Sequence, residues 1–184
     1  MSDAELKNPI PFQINKWSLG VRLQGTGEVG GRLGPLSDLV LQGGPELHLD
    51  FCKPRNAADT GAFVGHCWSV GGGSLFDPDK NRTDRITGNL HLFFDDARFA
   101  VPVGIRLLRR DLQAGRAHWG GGIEGGFLHR LAPPYLTNDS GGKHRFIPYW
   151  GAKLFADGFG GNGEWGIDAG AQLVVGGEIG FFQF

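Results

Sequence analysis

The stretch DPDKNRTD at 77–84 places oxygen-bearing side chains at Asp77, Asp79, Asn81 and Thr83. That every-second-position spacing is how a loop wraps around calcium. Arg82 stands at the sixth place, where such a loop needs glycine for its sharp turn, and Gly88 rather than glutamate stands at the twelfth. A polar β-turn capped by Asp and Asn explains the same residues. Calcium is the one cofactor the sequence puts forward, and the turn is the reading it competes with.

Histidine offers a second chemistry. His48, His91 and His118 fall on the polar faces of separate period-2 segments and would suit a transition metal if they converged. None has a partner histidine at the tight spacing of a metal motif, so imidazoles satisfied inside the fold are the simpler expectation. For acid–base work the polar faces offer Glu28, Glu46, Glu124, Asp168 and Glu178, with Arg22, Arg106 and Arg116 as partners. Carboxylates beside arginines away from water are more often structural ion pairs than catalysts. GxSxG, HExxH and CxxC are absent, and GGGSLF at 71–76 lacks the lysine of a phosphate loop. GTGEVGG at 25–31 matches GxGxxG in letters only, since no helical pattern follows it. Enzymatic activity is left open.

The elements that must position these groups are strands. Period-3.6 patterns are missing, whereas strict alternation recurs along the chain. Residues 16–32 put Trp17, Leu19, Val21, Leu23 and Val29 on one face and Arg22, Gln24, Glu28 and Arg32 on the other. The same separation returns at 38–51, 86–94, 99–109 and 115–131, and again in GIDAGAQLVVGGEIGFFQF at 166–184. There Ile167, Ala169, Ala171, Leu173, Val175, Ile179 and Phe181 oppose Asp168, Gln172 and Glu178. Residues 62–70 are mixed and 145–158 less regular. DDAR at 95–98 reads as a tight turn. Short connections without helical crossovers predict an all-β fold: one closed antiparallel up-and-down barrel of about eight to ten strands. The higher number applies if Gly25–Gly27 and Gly176–Gly177 are turns. The barrel is expected to occupy 1–184 as a single domain, with 1–14 as a polar tail.

Composition narrows the function. Lys and Arg total 18 against 19 Asp and Glu, and no basic cluster is interleaved with aromatics, which argues against nucleic acid as a partner. Glycine numbers 33 of 184 residues, far above the usual share of about 7%. With 40% hydrophobic residues this is not disorder; it fits strands that bend or neighbours that need room. The opening MSDAELKNPIPFQINK has neither the basic nor the apolar region of a signal peptide, which predicts a cytoplasmic protein or a mature form restarted at Met1. No run approaches the roughly 20 apolar residues of a membrane helix, so a membrane role would have to come from strands. Cys52 and Cys67 allow either a disulfide, with its oxidising compartment, or two buried thiols. NRT at 81–83 and NDS at 138–140 are glycosylation sequons with meaning only in a eukaryotic secretory protein. The loop APPYLTNDSGGK at 132–143 is a connection that could also serve recognition.

The segment FIPYWGAKLFADGFGGNGEWGIDAGAQLVVGGEIGFFQF at 146–184 resembles the last three strands of small bacterial outer-membrane β-barrels: PYWGAK, a glycine-rich turn, GIDAGAQ and a closing strand ending in Phe184. The resemblance implies location in the bacterial outer membrane, membrane lipid as partner and Phe184 as an assembly signal. That group keeps short turns on the side of its termini, whereas loop 132–143 would fall there in an eight-stranded chain.

Two functions follow from which face is buried. If the polar face is inside, Arg22, Glu28, Arg106, Glu124, Asp168 and Gln172 form a lumen network, and the protein is a structural, adhesive or small-ligand-binding membrane barrel too narrow for an open pore. If the apolar face is inside, a soluble barrel binds or cyclises a hydrophobic small molecule in a cavity lined by Trp17, Leu19, Leu90, Trp119, Phe127 and Trp165. Oligomeric state is not legible.

Overall fold

In the computed structural model the described residues are 17–34, 38–54, 63–94, 98–112, 116–131, 146–161 and 163–183. The expected tail at 1–14, most of the DDAR turn, the loop at 132–143 with its NDS sequon, and Phe184 lie outside them.

Eight strands follow one another: β1 (Ser18–Leu33), β2 (Leu39–Pro54), β3 (Phe63–Phe76), β4 (Arg82–Phe94), β5 (Phe99–Leu112), β6 (Arg116–Arg130), β7 (Phe146–Gly161) and β8 (Glu164–Gln183). Each pairs antiparallel with the next, and β8 pairs with β1 to close the barrel. Closure removes both sheet edges, so every strand finds its backbone partners inside the chain. Gly25–Gly27 and Gly176–Gly177 lie within β1 and β8 as paired residues, which sets the strand number at eight rather than ten.

The register fixes the shape. Starting at Leu23, the paired residues run through Leu47, Gly72, Ile86, Leu107, Gly121, Gly158 and Ile167, and return to β1 at Leu33. The circuit therefore climbs from position 23 to position 33, a stagger that tilts the strands by roughly 40° to the barrel axis. The start of β1 and the end of β8 lie at one end of the barrel, where β2 leads to β3, β4 to β5 and β6 to β7. The opposite end carries the connections after β1, β3, β5 and β7.

Alternation sorts the side chains inside out. On β4, Thr83, Arg85, Thr87, Asn89, His91 and Phe93 are buried toward the lumen while Ile86 stands outside at 60% exposure. On β8, Asp168, Gln172, Val174 and Glu178 are buried, and Ile167, Leu173, Val175 and Ile179 are exposed. Near the end of β8 the pairing with β1 slips by one residue. Ile179 opposes Val21 and Phe181 opposes Gly20, a shift of register at this point of the β1–β8 ladder.

The cavity expected of a soluble barrel does not form. Trp17, Trp119 and Trp165 are exposed, and Leu19, Leu90 and Phe127 belong to the same outward positions, because each shares its parity with exposed Leu23, Ile86 or Ile123. Phe127 stacks on Phe99 at 5.9 Å and meets Trp150 edge-on at 5.4 Å, an aromatic group on the outer wall near the terminal end. An open apolar hollow of about 600 Å³ also lies on that outer wall, over β5–β7, edged by Val103, Ile105, Ile123, Leu154 and Ala156.

Candidate functional site

The lumen holds the chemically capable side chains, and register decides which of them meet. At its centre Glu28 on β1 accepts hydrogen bonds from Gln42 (2.6 Å), from Arg106 Nη2 (2.8 Å) and from Arg85 Nη1. Arg85 also donates through Nε to Glu46 at 2.7 Å, and Glu46 accepts from Gln24 and Thr26, each at 2.7 Å. Arg106 reaches Asp157 at 3.1 Å and lies 4.4 Å over the Phe155 ring. Lys153 Nζ donates to Glu124 at 2.7 Å. Six of the eight strands thus contribute to one cluster, in which Arg85, Arg106 and Lys153 pair with Glu28, Glu46, Glu124 and Asp157.

Toward the terminal end, Arg22 pairs with Asp50 at 3.0 Å and donates to Ser69 at 2.8 Å, and the Tyr149 hydroxyl donates to Gln24 at 2.8 Å. Arg130 binds Glu178 at 2.8 Å with its guanidinium 4.4 Å over Phe93. Beyond them Cys52, Cys67, Phe93, Ala100, Leu128, Tyr149 and Val174 form a buried apolar cluster, and Cys52 and Cys67 are joined as a disulfide. At the opposite end Asp168 takes both Arg32 (2.8 Å) and Arg110 (2.6 Å), and both guanidiniums lie over Phe159.

Among the described residues, the lumen wall carries Arg22, Arg32, Arg85, Arg106, Arg110, Arg130 and Lys153 against Glu28, Glu46, Asp50, Glu124, Asp157, Asp168 and Glu178. The two sets are equal in number, and each of these charges has an opposite within reach. Ion pairs held this far from water persist only with such pairing, because an unmatched buried charge is costly.

The six polar residues singled out from sequence are all buried, but they do not form one site. Glu28, Arg106 and Glu124 share the central cluster, Arg106 Nε standing 4.0 Å from Glu124. Arg22 and Asp168 sit near opposite ends, and Gln172 lies in register between Glu28 and Lys153. Arg85, Lys153 and Asp157 escaped the sequence reading; parity with Thr87 would have placed Arg85 inside, whereas the irregular stretch 145–158 offered no such guide to Lys153 and Asp157.

The metal candidates separate as well. Asp77 spends its carboxylate on the backbone and side-chain amides of Asn81, each at 2.8 Å, closing a turn in which Lys80 has a positive φ. Thr83 is turned into the lumen beside Arg110. His118 pairs with Glu164 at 3.2 Å near one end, while His91 lies opposite Cys67 near the other. Among the described residues no group of three or more His, Cys, Asp or Glu is placed to hold a metal ion.

No protein-family model and no curated protein matches the chain. Among solved structures, the crystal structure of Neisserial surface protein A is similar to it, with 10% identity, a TM-score of 0.43, and coverage of 85% of this chain and 96% of that one.

Proposed function

We propose that this chain is a small outer-membrane barrel of a bacterium, its wall in contact with lipid and its lumen filled, with a structural, adhesive or small-ligand-binding role rather than that of an open pore. The observation that carries this reading is the outward belt. Leu154, Trp119, Ile123 and Ile105 are each more than 60% exposed, and large apolar side chains of this kind surround the barrel. On β5 the outward residues run from Phe99 to Leu107 before Arg109 and Asp111 appear, close to the 9–11 residues with which a tilted strand crosses a bilayer. A soluble protein does not expose an apolar surface of this extent, since patches beyond a few hundred Å² drive association. A lipid-facing barrel needs it, and needs the polar interior that accompanies it.

Further observations agree. Outward charges gather at the rims: Arg82 with Asp84 at 2.7 Å and Arg109 with Asp111 at 3.0 Å at one end, Lys53 at the other beside Trp17. Aromatic side chains mark both levels, Phe76, Trp119 and Trp165 at one and Phe51, Trp68, Phe127 and Trp150 at the other, as expected where a wall meets headgroups. The disulfide fits an oxidising compartment outside the cytoplasm.

The test is fractionation. The protein is expected in the membrane fraction, released only by detergent, and running at different positions on a denaturing gel before and after boiling. Recovery as a detergent-free monomer would overturn the proposal.

A further inference from the structure

Cys52 and Cys67 are direct partners across the β2–β3 ladder, 15 residues apart in the chain, and both face the lumen. Cys67 is 1% exposed and Cys52 is 6% exposed. The groups clustered with them are Phe93, Ala100, Leu128, Tyr149 and Val174, one from each of β4, β5, β6, β7 and β8. Every one of those strands follows both cysteines in the chain. On the outer side the neighbouring residues Phe51 and Trp68 oppose each other in register and cover the ladder from without.

Thiol–disulfide exchange requires a sulfur to be attacked by an incoming thiolate, and its rate depends on access. The closed barrel leaves little, with both cysteines buried, whereas a β2–β3 hairpin without its later strands leaves both sulfurs in water. We infer that this disulfide is made on the open chain, by a protein with an oxidised dithiol in an oxidising compartment, before the later strands close over it. One cysteine thiolate attacks the oxidant's disulfide, forming a mixed disulfide and releasing one of its thiols. The second cysteine then displaces the remaining sulfur. Cys52 and Cys67 end joined, two electrons reside on the oxidant's dithiol, and the two protons lost by the cysteines are taken up there. The inference rests on closure of the barrel and goes beyond the proposed membrane role, since it holds whichever solvent meets the outer wall.

Two measurements test it, both on the full chain. The folded protein in detergent and the same protein in urea are treated with a phosphine reductant, quenched, unfolded, and labelled with a polyethylene-glycol maleimide to count free thiols. Reduction of the folded barrel is expected to be at least about 100-fold slower, because it must wait for opening of the barrel. Separately, chain reduced in urea is folded into detergent without oxygen and then given glutathione disulfide. The folded product is expected to keep two labelable thiols while the unfolded chain oxidises. Failure of the reduced chain to fold would equally place the bond before closure. Similar rates for folded and unfolded protein, in either direction, would overturn the inference.

Discussion

Lys153 is an ammonium group 1% exposed at the side chain, and Glu124 lies 2.7 Å from it. Removing one member of such a pair leaves a buried charge, whereas replacing both with apolar groups of similar size removes the need for pairing. Glu124→Gln is therefore expected to lower unfolding free energy in detergent by about 3–5 kcal/mol. Adding Lys153→Met to a Glu124→Leu background is expected to recover most of that loss. A double variant as unstable as the single one, by urea titration, would mean that Lys153 draws its support from elsewhere. That these two residues meet was not legible in the sequence. Period 2 puts Glu124 on the polar face but leaves Lys153 unplaced in the less regular stretch 145–158, and the fold of the barrel is what brings position 124 to position 153, and Glu28 to Arg106 across 78 residues. Hydropathy carries no information on register when neighbouring glycines allow several alignments.

Strands differ in how openly they declare their faces, and the reason is where they touch the lumen's apolar ends. β1, β2 and β8 alternate cleanly because their inward residues in mid-barrel are charged or amide groups. Residues 62–70 read as mixed because their inward row includes Cys67, in the apolar cluster, while His66 stands on the outward row. β7 is irregular for the same cause, with Ile147, Tyr149, Phe155 and Phe159 all turned inward. A sequence reading that equates inside with polar fails at these positions. The glycines divide by element too. At Gly122 on β6 an added Cβ would run into the Ala156 carbonyl oxygen and the Asp157 carboxylate, while at Gly27 on the outward side of β1 nothing lies within 4 Å. Gly122→Ala is expected to destabilise by about 1–3 kcal/mol through overpacking. Gly27→Ala should stay within about 0.5 kcal/mol of the parent. Equal effects in thermal or urea melts would remove the steric account of the inward glycines.

For the molecule as a whole, oppositely charged side chains pair across the lumen of an eight-stranded barrel, and an apolar cluster lies toward its terminal end. Reconstituted into planar bilayers, the protein is expected to give no steady single-channel conductance, at low or high salt. Buried pairs are screened far less than surface ones, so raising ionic strength should not open the lumen. Reproducible conductance steps would show that the central cluster rearranges and would refute the filled-lumen reading.

Glu28 is held at once by Gln42 on β2, Arg85 on β4 and Arg106 on β5, and Asp168 ties Arg110 on β5 to Arg32 on β1. The wall's own hydrogen bonds connect each strand only to its neighbours and say little about whether the ring is round or oval. The ties from Glu28 to Arg85 and Arg106, and from Asp168 to Arg110, join strands that are not neighbours and cross the lumen like the spokes of a wheel. Lateral pressure from a bilayer would have to break them before it could flatten the cylinder, so the same residues that fill the barrel also set its cross-section.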